Sequence, residues 1–499
     1  MPAIHRLSDD VLATVFESAS RDHASYQPTQ RALLQLPVTL SHVCRRWRRC
    51  ALSLVRLWNL LFIQAKDNIE AAHAVIERSR AARLSVVVLW DPDSSDETQN
   101  PDRAKRLLGL FERLGNHLHR VETFIFRSYG TTSLPSVDML LQALFGDRIR
   151  NMPALTRLTI NIFGTGEAVR CSVPVRIAAA RVASLDFRNV LPNNWADIIG
   201  AHTTSLSIRS TKVKASQLRQ ALQRCAALAN LTLSTIELED DLEDGDRGPR
   251  PDAKALKHLH LDGGRDFLPR LAPVLPYSLS EVQSISLWCF SMDGPLDGTS
   301  LALTGITTLH DITELRIGSQ MVSIRTLDGR HRSITSLGSR ISQRIASEIV
   351  SSHDSLFNTV ERLYIHLSGY SNFLSAVERR GASLPRLTDI TVRVEHFFGD
   401  LFDERDVSMY FGETIDAPKL MKVLVEIVGN ARPTFASALN FVRLYEVLCG
   451  ARDKEVHPMP EVLYASDGRR DSDRCVTVFR GHIQAMSEYY TADQLPLNP

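Results

Sequence analysis

Along most of the chain apolar residues recur in one short phrase, apolar-x-x-apolar-x-apolar. It reads Val121–Phe126, Leu155–Ile160 and Val182–Phe187, then Thr203–Ile208, Leu228–Leu233, Leu256–Leu261, Val282–Leu287 and Ile312–Ile317. Val360–Ile365, Leu387–Val392 and Leu420–Val425 complete the series. Each predicts a short strand with one apolar face. The eleven starts lie mostly 22 to 34 residues apart, a repeat period rather than the spacing of unrelated domains. Between them, stripes at three- and four-residue spacing predict helices: Leu107, Leu110, Phe111, Leu114 and Leu118; Leu218, Ala221, Leu222 and Cys225; Phe373, Leu374 and Val377; Phe435, Leu439, Val442 and Tyr445. Strand, helix, strand at this period builds parallel strands through crossovers, and the units stack because none can bury its own apolar faces. An ordinary doubly wound α/β domain offers the same alternation, but eleven phrases exceed what one open sheet usually holds.

Two stretches interrupt the rhythm. Residues 321–337 alternate on either side of Asp328-Gly329 and predict a β-hairpin inserted in the array, followed by a helix over Ser342–Ser351. Residues 237–252 begin with an acidic run and predict a solvated loop.

The first sixty or so residues follow a different pattern. Ser8 precedes Asp9 and Asp10 and caps a helix whose Leu12, Val15 and Phe16 share a face. A polar stretch with Pro28 and Pro37 predicts a loop. Leu40, Val43, Cys44, Trp47 and Ala51 then mark a second helix, and Leu57-Trp58 with Leu60–Ile63 close the module. The expected fold class is therefore α/β: a small all-α module over 1–63, a connecting helix over 64–83, an irregular repeat array over 84–475, and a cap and tail over 476–499.

Composition narrows the chemistry. Across 499 residues, 58 Lys plus Arg stand against 57 Asp plus Glu, so there is no basic surplus for nucleic acid. Seven cysteines with no Cys-x-x-Cys pair predict neither a disulfide framework nor a structural zinc site. The amino terminus lacks a signal-like apolar core, and the longest apolar run, Val86–Trp90, is far too short to span a membrane. The expectation is a cytoplasmic or nuclear protein.

No phosphate loop, Gly-x-Ser-x-Gly elbow or His-Glu-x-x-His helix is present, so no catalytic residue, metal site or cofactor is expected. His258 and His260 share a strand face, with His366 on another strand, and read as exposed strand histidines. The alternate positions of the phrases face away from the core. They include Arg157, Thr159, Asp186, Arg188, Arg209, Glu314 and Asp389, besides a set suited to holding a protein substrate: Trp288, Arg316, Arg362, Tyr364, His366 and Arg393.

The opening module resembles the F-box. The residues that carry the likeness are Leu7-Ser8-Asp9-Asp10-Val11-Leu12-Ala13-Thr14-Val15-Phe16, then Val43-Cys44-Arg45-Arg46-Trp47-Arg48, Ala51 and Leu57-Trp58. The family usually has Pro where Ser8 stands. The whole is similar to fungal F-box proteins whose remaining chain is a degenerate leucine-rich-repeat-like array, although the Asn that follows the strand in such repeats is missing. The resemblance implies docking on a Skp-family adaptor, and through it a cullin scaffold, by Leu7, Ser8, Leu12, Val15, Phe16, Val43, Cys44 and Trp47. It also implies a substrate-recognition role in a ubiquitin ligase with no bond chemistry of its own. A protein-interaction scaffold outside a ligase is the other reading. The substrate is not legible.

Overall fold

All eleven phrases become strands. A computed structural model describes residues 7–25, 30–64, 69–90, 101–129, 136–146, 148–163, 175–239, 255–263, 267–271, 274–275, 279–289, 309, 311–318, 321–336, 356–366, 373, 383–395, 417, 419–420, 422–428 and 461–465. The chain divides into two units, Met1–Lys257 with Pro273–Tyr277 and His258–Ala272 with Ser278–Pro499. Both mix helices with a mostly parallel sheet.

The first unit opens with helices α1 (Asp9–Ser25), α2 (Gln30–Val43) and α3 (Arg45–Ser53). Ser8 Oγ accepts the Val11 N–H at 3.3 Å, and Asp9 and Asp10 fill the first turn, where carboxylates suit the positive dipole end. The expected loop after Phe16 is corrected. With neither Gly nor Pro before Pro28, α1 runs on to Ser25, and α2 carries Pro37 within it. The expected single helix over Leu40–Ala51 is also corrected, because it breaks at Cys44. The extended backbone there (φ −159°, ψ 171°) ends α2, and the thiol accepts the Trp47 N–H at 3.5 Å to cap α3. Leu12, Phe16, Leu40, Cys50, Ala51, Leu57 and Trp58 form the core of this helical part. The Trp58 indole N–H donates to the Ala51 carbonyl at 2.9 Å, so the one polar atom of that large side chain is satisfied inside.

There follow β1 (Leu60–Gln64), α4 (Ile69–Arg78), β2 (Leu84–Trp90), α5 (Pro101–Gly115), β3 (Val121–Tyr129) and α6 (Val137–Phe145). Next come β4 (Arg150–Asn151), β5 (Arg157–Phe163), β6 (Ile177–Ala178), β7 (Ser184–Arg188), α7 (Trp195–Ile198) and β8 (Ser205–Arg209). The unit ends with β9 (Lys212–Lys214), α8 (Ala215–Arg224), β10 (Asn230–Ser234) and β11 (Glu237–Glu239). Strands β1, β2, β3, β5, β7, β8 and β10 pair side by side in that order, all parallel. Leu60–Ile63 thus starts the sheet instead of closing the helical module, since a run of four apolar residues suits a strand covered on both faces. Glu237–Glu239, expected as loop, pairs with β9 in parallel, and Lys212 Nζ meets Glu237 Oε1 at 2.7 Å.

The register stacks equivalent residues of successive repeats. Leu158, Leu185, Leu206 and Leu231 form one row and Ile160, Phe187, Ile208 and Leu233 the next, all buried. Where the phrase has Thr203 in an apolar place, the hydroxyl donates to the Val182 carbonyl at 3.0 Å, which removes the cost of burying it. The position after it also repeats. The hydroxyls of Thr156, Thr204 and Thr388 each donate to a carbonyl of the preceding repeat, Glu122, Ala183 and Glu361, at 3.0 to 3.1 Å. Directly after β7, β8 and β10 stand Asn189, Ser210 and Thr235, all with positive φ. The Asn189 amide donates to the Ile162 carbonyl at 2.7 Å, so one repeat does place Asn after its strand, contrary to the expectation.

The second unit contains β12 (His258–Gly263), α9 (Phe267–Leu271), β13 (Ser284–Cys289), β14 (Ile312–Ile317), β15 (Met321–Thr326) and β16 (His331–Ser336). Then come α10 (Leu356–Thr359), β17 (Arg362–His366), β18 (Asp389–Glu395), β19 (Lys422–Val428) and β20 (Glu461–Ala465). The spatial order is β12, β13, β16, β15, β14, β17, β18, β19, β20, and only β15 runs antiparallel to its neighbours. The expected hairpin is β15–β16. It is built into the sheet between β13 and β14 rather than projecting from it. Gly329 takes φ +82° at its tip, and the Asp328 carboxylate accepts from the Thr326 hydroxyl and from Arg330 Nε. The Thr326 hydroxyl bond leads the causes that hold the Asp328 carboxyl below the usual carboxylate range. The helix expected over Ser342–Ser351, the stripe residues Leu374, Val377 and Phe435–Tyr445, most of the acidic insert and the tail over 476–499 lie outside the described residues.

Candidate functional site

Three surfaces invite a functional reading. The first is on the helical part. Leu12 and Phe16 are each 1% exposed, so they build the core and support a surface without forming it. Phe16 meets Trp47 edge-on, ring centroids 4.9 Å apart, and Trp47 is half-buried. Leu7 is half-buried and its carbonyl accepts from Arg46 Nη2, while Arg46 Nε pairs with Asp9 Oδ1 at 2.7 Å. Ser8 is exposed and Cys44 half-buried, both occupied as helix caps. Val15 and Val43, by contrast, stand 45% and 55% exposed. Val11, Val38 and Leu52 join them, so five of the eleven exposed large apolar residues among those described belong to this small part. Val11, Val38 and Leu52 are absent from the sequence-based set because that set followed the motif, whereas their exposure depends on how the three helices pack.

The second surface is the polar face of the second unit's sheet. Its register lines up His331, Arg325, Glu314, Arg362, Asp389 and Lys422 across six strands, alternating in sign after His331. Glu314 was expected outward and exposed, but the arginines on each side cover it. Arg316 Nε lies 2.5 Å from Oε1 and Arg362 Nη2 3.0 Å from Oε2, and the Glu314 side chain is 7% exposed. Arg316 also lies over the Tyr364 ring at 5.6 Å. Of the predicted substrate residues, then, Arg316, Arg362 and Tyr364 come together, but around a carboxylate of their own. Trp288 is 40% exposed on β13, three strands from β14. His366 on β17 is directly opposite Arg393 on β18. His258 and His260 on β12 stand five strand positions from His366, about 24 Å at the usual strand spacing, so the three share no metal. Among the described residues no group of three or more His, Cys, Asp or Glu is placed to hold a metal ion.

Behind that face sits Arg332, fully buried in a row that otherwise reads Ile285, Ile324 and Leu315. Its guanidinium donates to the carbonyls of Leu279, Gln283 and His331 at 2.9 to 3.3 Å. Burial lowers its pKa to about 10, which leaves it charged at neutral pH.

The third surface is the polar face of the first unit's sheet, toward the carboxyl ends of the parallel strands. One cross-strand row there reads Arg127, Asn161, Arg188 and Arg209. Arg188 lies over the Phe163 ring at 4.5 Å, and Phe163 stacks flat on Tyr129, centroids 4.8 Å apart and planes 6° apart. Asp186, one row back, accepts from Asn161 Nδ2 at 2.9 Å and lies 4.0 Å from Arg209 Nε. Thr159, expected to be exposed, is buried in that same row. Arg127, Tyr129 and Phe163 escaped the sequence reading because the phrases were ended at Phe126 and Ile160. Continuing the alternation three residues further places all of them on the polar face.

No family model matches the chain, and no curated protein matches its sequence. No helix among the described residues is long and apolar enough to cross a membrane.

Proposed function

We propose that this chain is the substrate-recognition subunit of a Skp–cullin–F-box type ubiquitin ligase, its helical part docking on a Skp-family adaptor and its repeat array, of leucine-rich-repeat-like kind, receiving a protein substrate. One observation carries the reading. The two halves of the motif, Leu7–Phe16 and Val43–Arg48, lie far apart in sequence yet share one helical core, and that core leaves Val11, Val15, Val38, Val43 and Leu52 outside. Exposed apolar side chains on packed helices suit a groove on a partner. The stacked register and the repeating Thr hydroxyl bonds support the array part of the reading. Such a subunit makes and breaks no bonds. It raises the local concentration of substrate lysines beside a ubiquitin-charged enzyme held by the cullin scaffold.

Capture on an immobilised Skp-family adaptor tests this. The full chain is expected to be retained, and Val15→Asp with Val43→Asp to lose retention at least tenfold without changing the circular dichroism melt. The exposed valines are the right targets, because Phe16→Asp would place a charge in the core. A wild-type chain that the adaptor does not retain would leave a scaffold outside a ligase as the better description.

A further inference from the structure

The arginine row of the first unit is the feature its fold leaves unsettled. Arg188 and Arg209 are direct cross-strand neighbours, a pairing of like charges that costs stability. Nε of Arg127 and Nε of Arg188 are each buried without a hydrogen-bond partner. Asn161 is 4% exposed, with Oδ1 likewise unpartnered. Asp186 is the row's sole neighbouring carboxylate among the described strand residues of that face, and three guanidiniums outnumber it. Next to the charges a flat aromatic pair, Tyr129 on Phe163, offers an apolar platform, with Tyr129 exposed. The ends of parallel strands are where open α/β sheets place their ligands.

We propose that Arg127, Arg188 and Arg209, with Asn161 and the Tyr129–Phe163 stack, bind an extended acidic peptide segment, carboxylates on the guanidiniums and an apolar or aromatic side chain on the stack. Charge complementarity commits the site to this occupant. The three arginines are strung over about 14 Å instead of converging on a point. That matches single charges spaced along a peptide better than one compact dianion. Asp186 within the cluster further opposes a doubly charged phosphate. Planar guanidiniums take carboxylates by two parallel hydrogen bonds, which gives geometry as well as attraction. The proposal deepens the substrate-receptor reading and rests on it for calling the peptide a substrate; the adaptor capture above tests that reading separately.

The test is fluorescence anisotropy of the full chain with a labelled 14-residue peptide of alternating Glu and Ser carrying one central Tyr. Binding is expected to weaken about tenfold or more when Gln replaces Glu, to fall with added salt, and to weaken about tenfold in Arg127→Gln with Arg188→Gln. Arg316→Gln is expected to change nothing. Arg127→Gln alone, whose Nε has no hydrogen bond to lose, keeps the test open should the double variant fail to fold. Equal binding of the Glu and Gln peptides, or binding untouched by either arginine variant, would overturn the proposal. So would a phosphoserine version or a twelve-nucleotide oligouridine bound ten times more tightly than the Glu peptide. If the peptide binds as expected and the adaptor does not, the receptor reading fails and the acidic-peptide site stands.

Discussion

The polar faces of the two units handle arginine in opposite ways. In the second unit the cross-strand row alternates in sign, and Arg316 and Arg362 clasp one nearly buried glutamate. Arg332 goes further, turned into the core and satisfied by three carbonyls. There the guanidiniums hold the sheet together. In the first unit Arg127, Arg188 and Arg209 share a row with Asn161 and no acid, and Nε of two of them is buried without a partner. A charge neutralised within the fold is structural; a row of like charges kept beside an aromatic platform is stability given up for a ligand. The contrast reverses the weight that sequence alone would put on Arg316 and Arg362.

The largest effect should come from breaking the clasp. Glu314→Ala leaves Arg316 and Arg362 facing each other with Arg325 beside them, and is expected to destabilise the second unit by about 2 kcal/mol, less than a fully buried pair because both guanidiniums reach water. Urea unfolding measures it; a loss under about 0.5 kcal/mol would show that the clasp is ornamental. The matching change in the first unit, Arg127→Gln with Arg188→Gln, should cost less than about 1 kcal/mol, since relief of the Arg188–Arg209 repulsion offsets the lost contact of Arg188 with the Phe163 ring. A loss comparable to that of Glu314→Ala would erase the distinction between the two rows.

The smallest effect is the pH dependence that His331 adds in the second unit, beside that of His117 in the first, whose pKa burial and Arg120 also lower. Burial, with Arg325, Arg316 and Arg332 close by, lowers the His331 pKa below its usual 6.5, and Glu314 only partly opposes them. The folded state therefore binds this proton less readily than the unfolded chain. Stability from His331 is full above about pH 6.5 and falls as the pH drops through that value toward the folded pKa. Thermal melts between pH 7.5 and 5 should show a decline that His331→Gln makes shallower. An unchanged slope would mean that other groups carry it.

How much of this was legible follows from what each signal encodes. The eleven phrases located eleven strands because a half-buried strand must alternate, and Asp328-Gly329 located a hairpin because its turn needs a positive φ. β1 was assigned to the helical module, and β2, inside the expected array, was not among its phrases, since strands apolar on both sides lose the alternation. The helix break at Cys44 was hidden because a cysteine cap resembles any apolar position on a helical stripe. For the sites, the sequence identified Leu12 and Phe16, whose apolar pattern reports burial, more readily than Val11 and Val38, whose exposure depends on neighbours. Likewise the facing direction of Arg316 was readable, but not the carboxylate that occupies it, because pairing across strands depends on register.

The central claim is a division of labour: the helical part docks, and the arginine row of the first unit holds an acidic chain. Adaptor-coated beads loaded with the full chain and then with the labelled Glu-Ser-Tyr peptide test both ends at once. The peptide should be retained only when the chain is present, Val15→Asp with Val43→Asp should remove chain and peptide together, and Arg127→Gln with Arg188→Gln should remove the peptide while the chain stays. Peptide retained at wild-type level by the arginine variant, or a chain that never reaches the beads, would contradict the account.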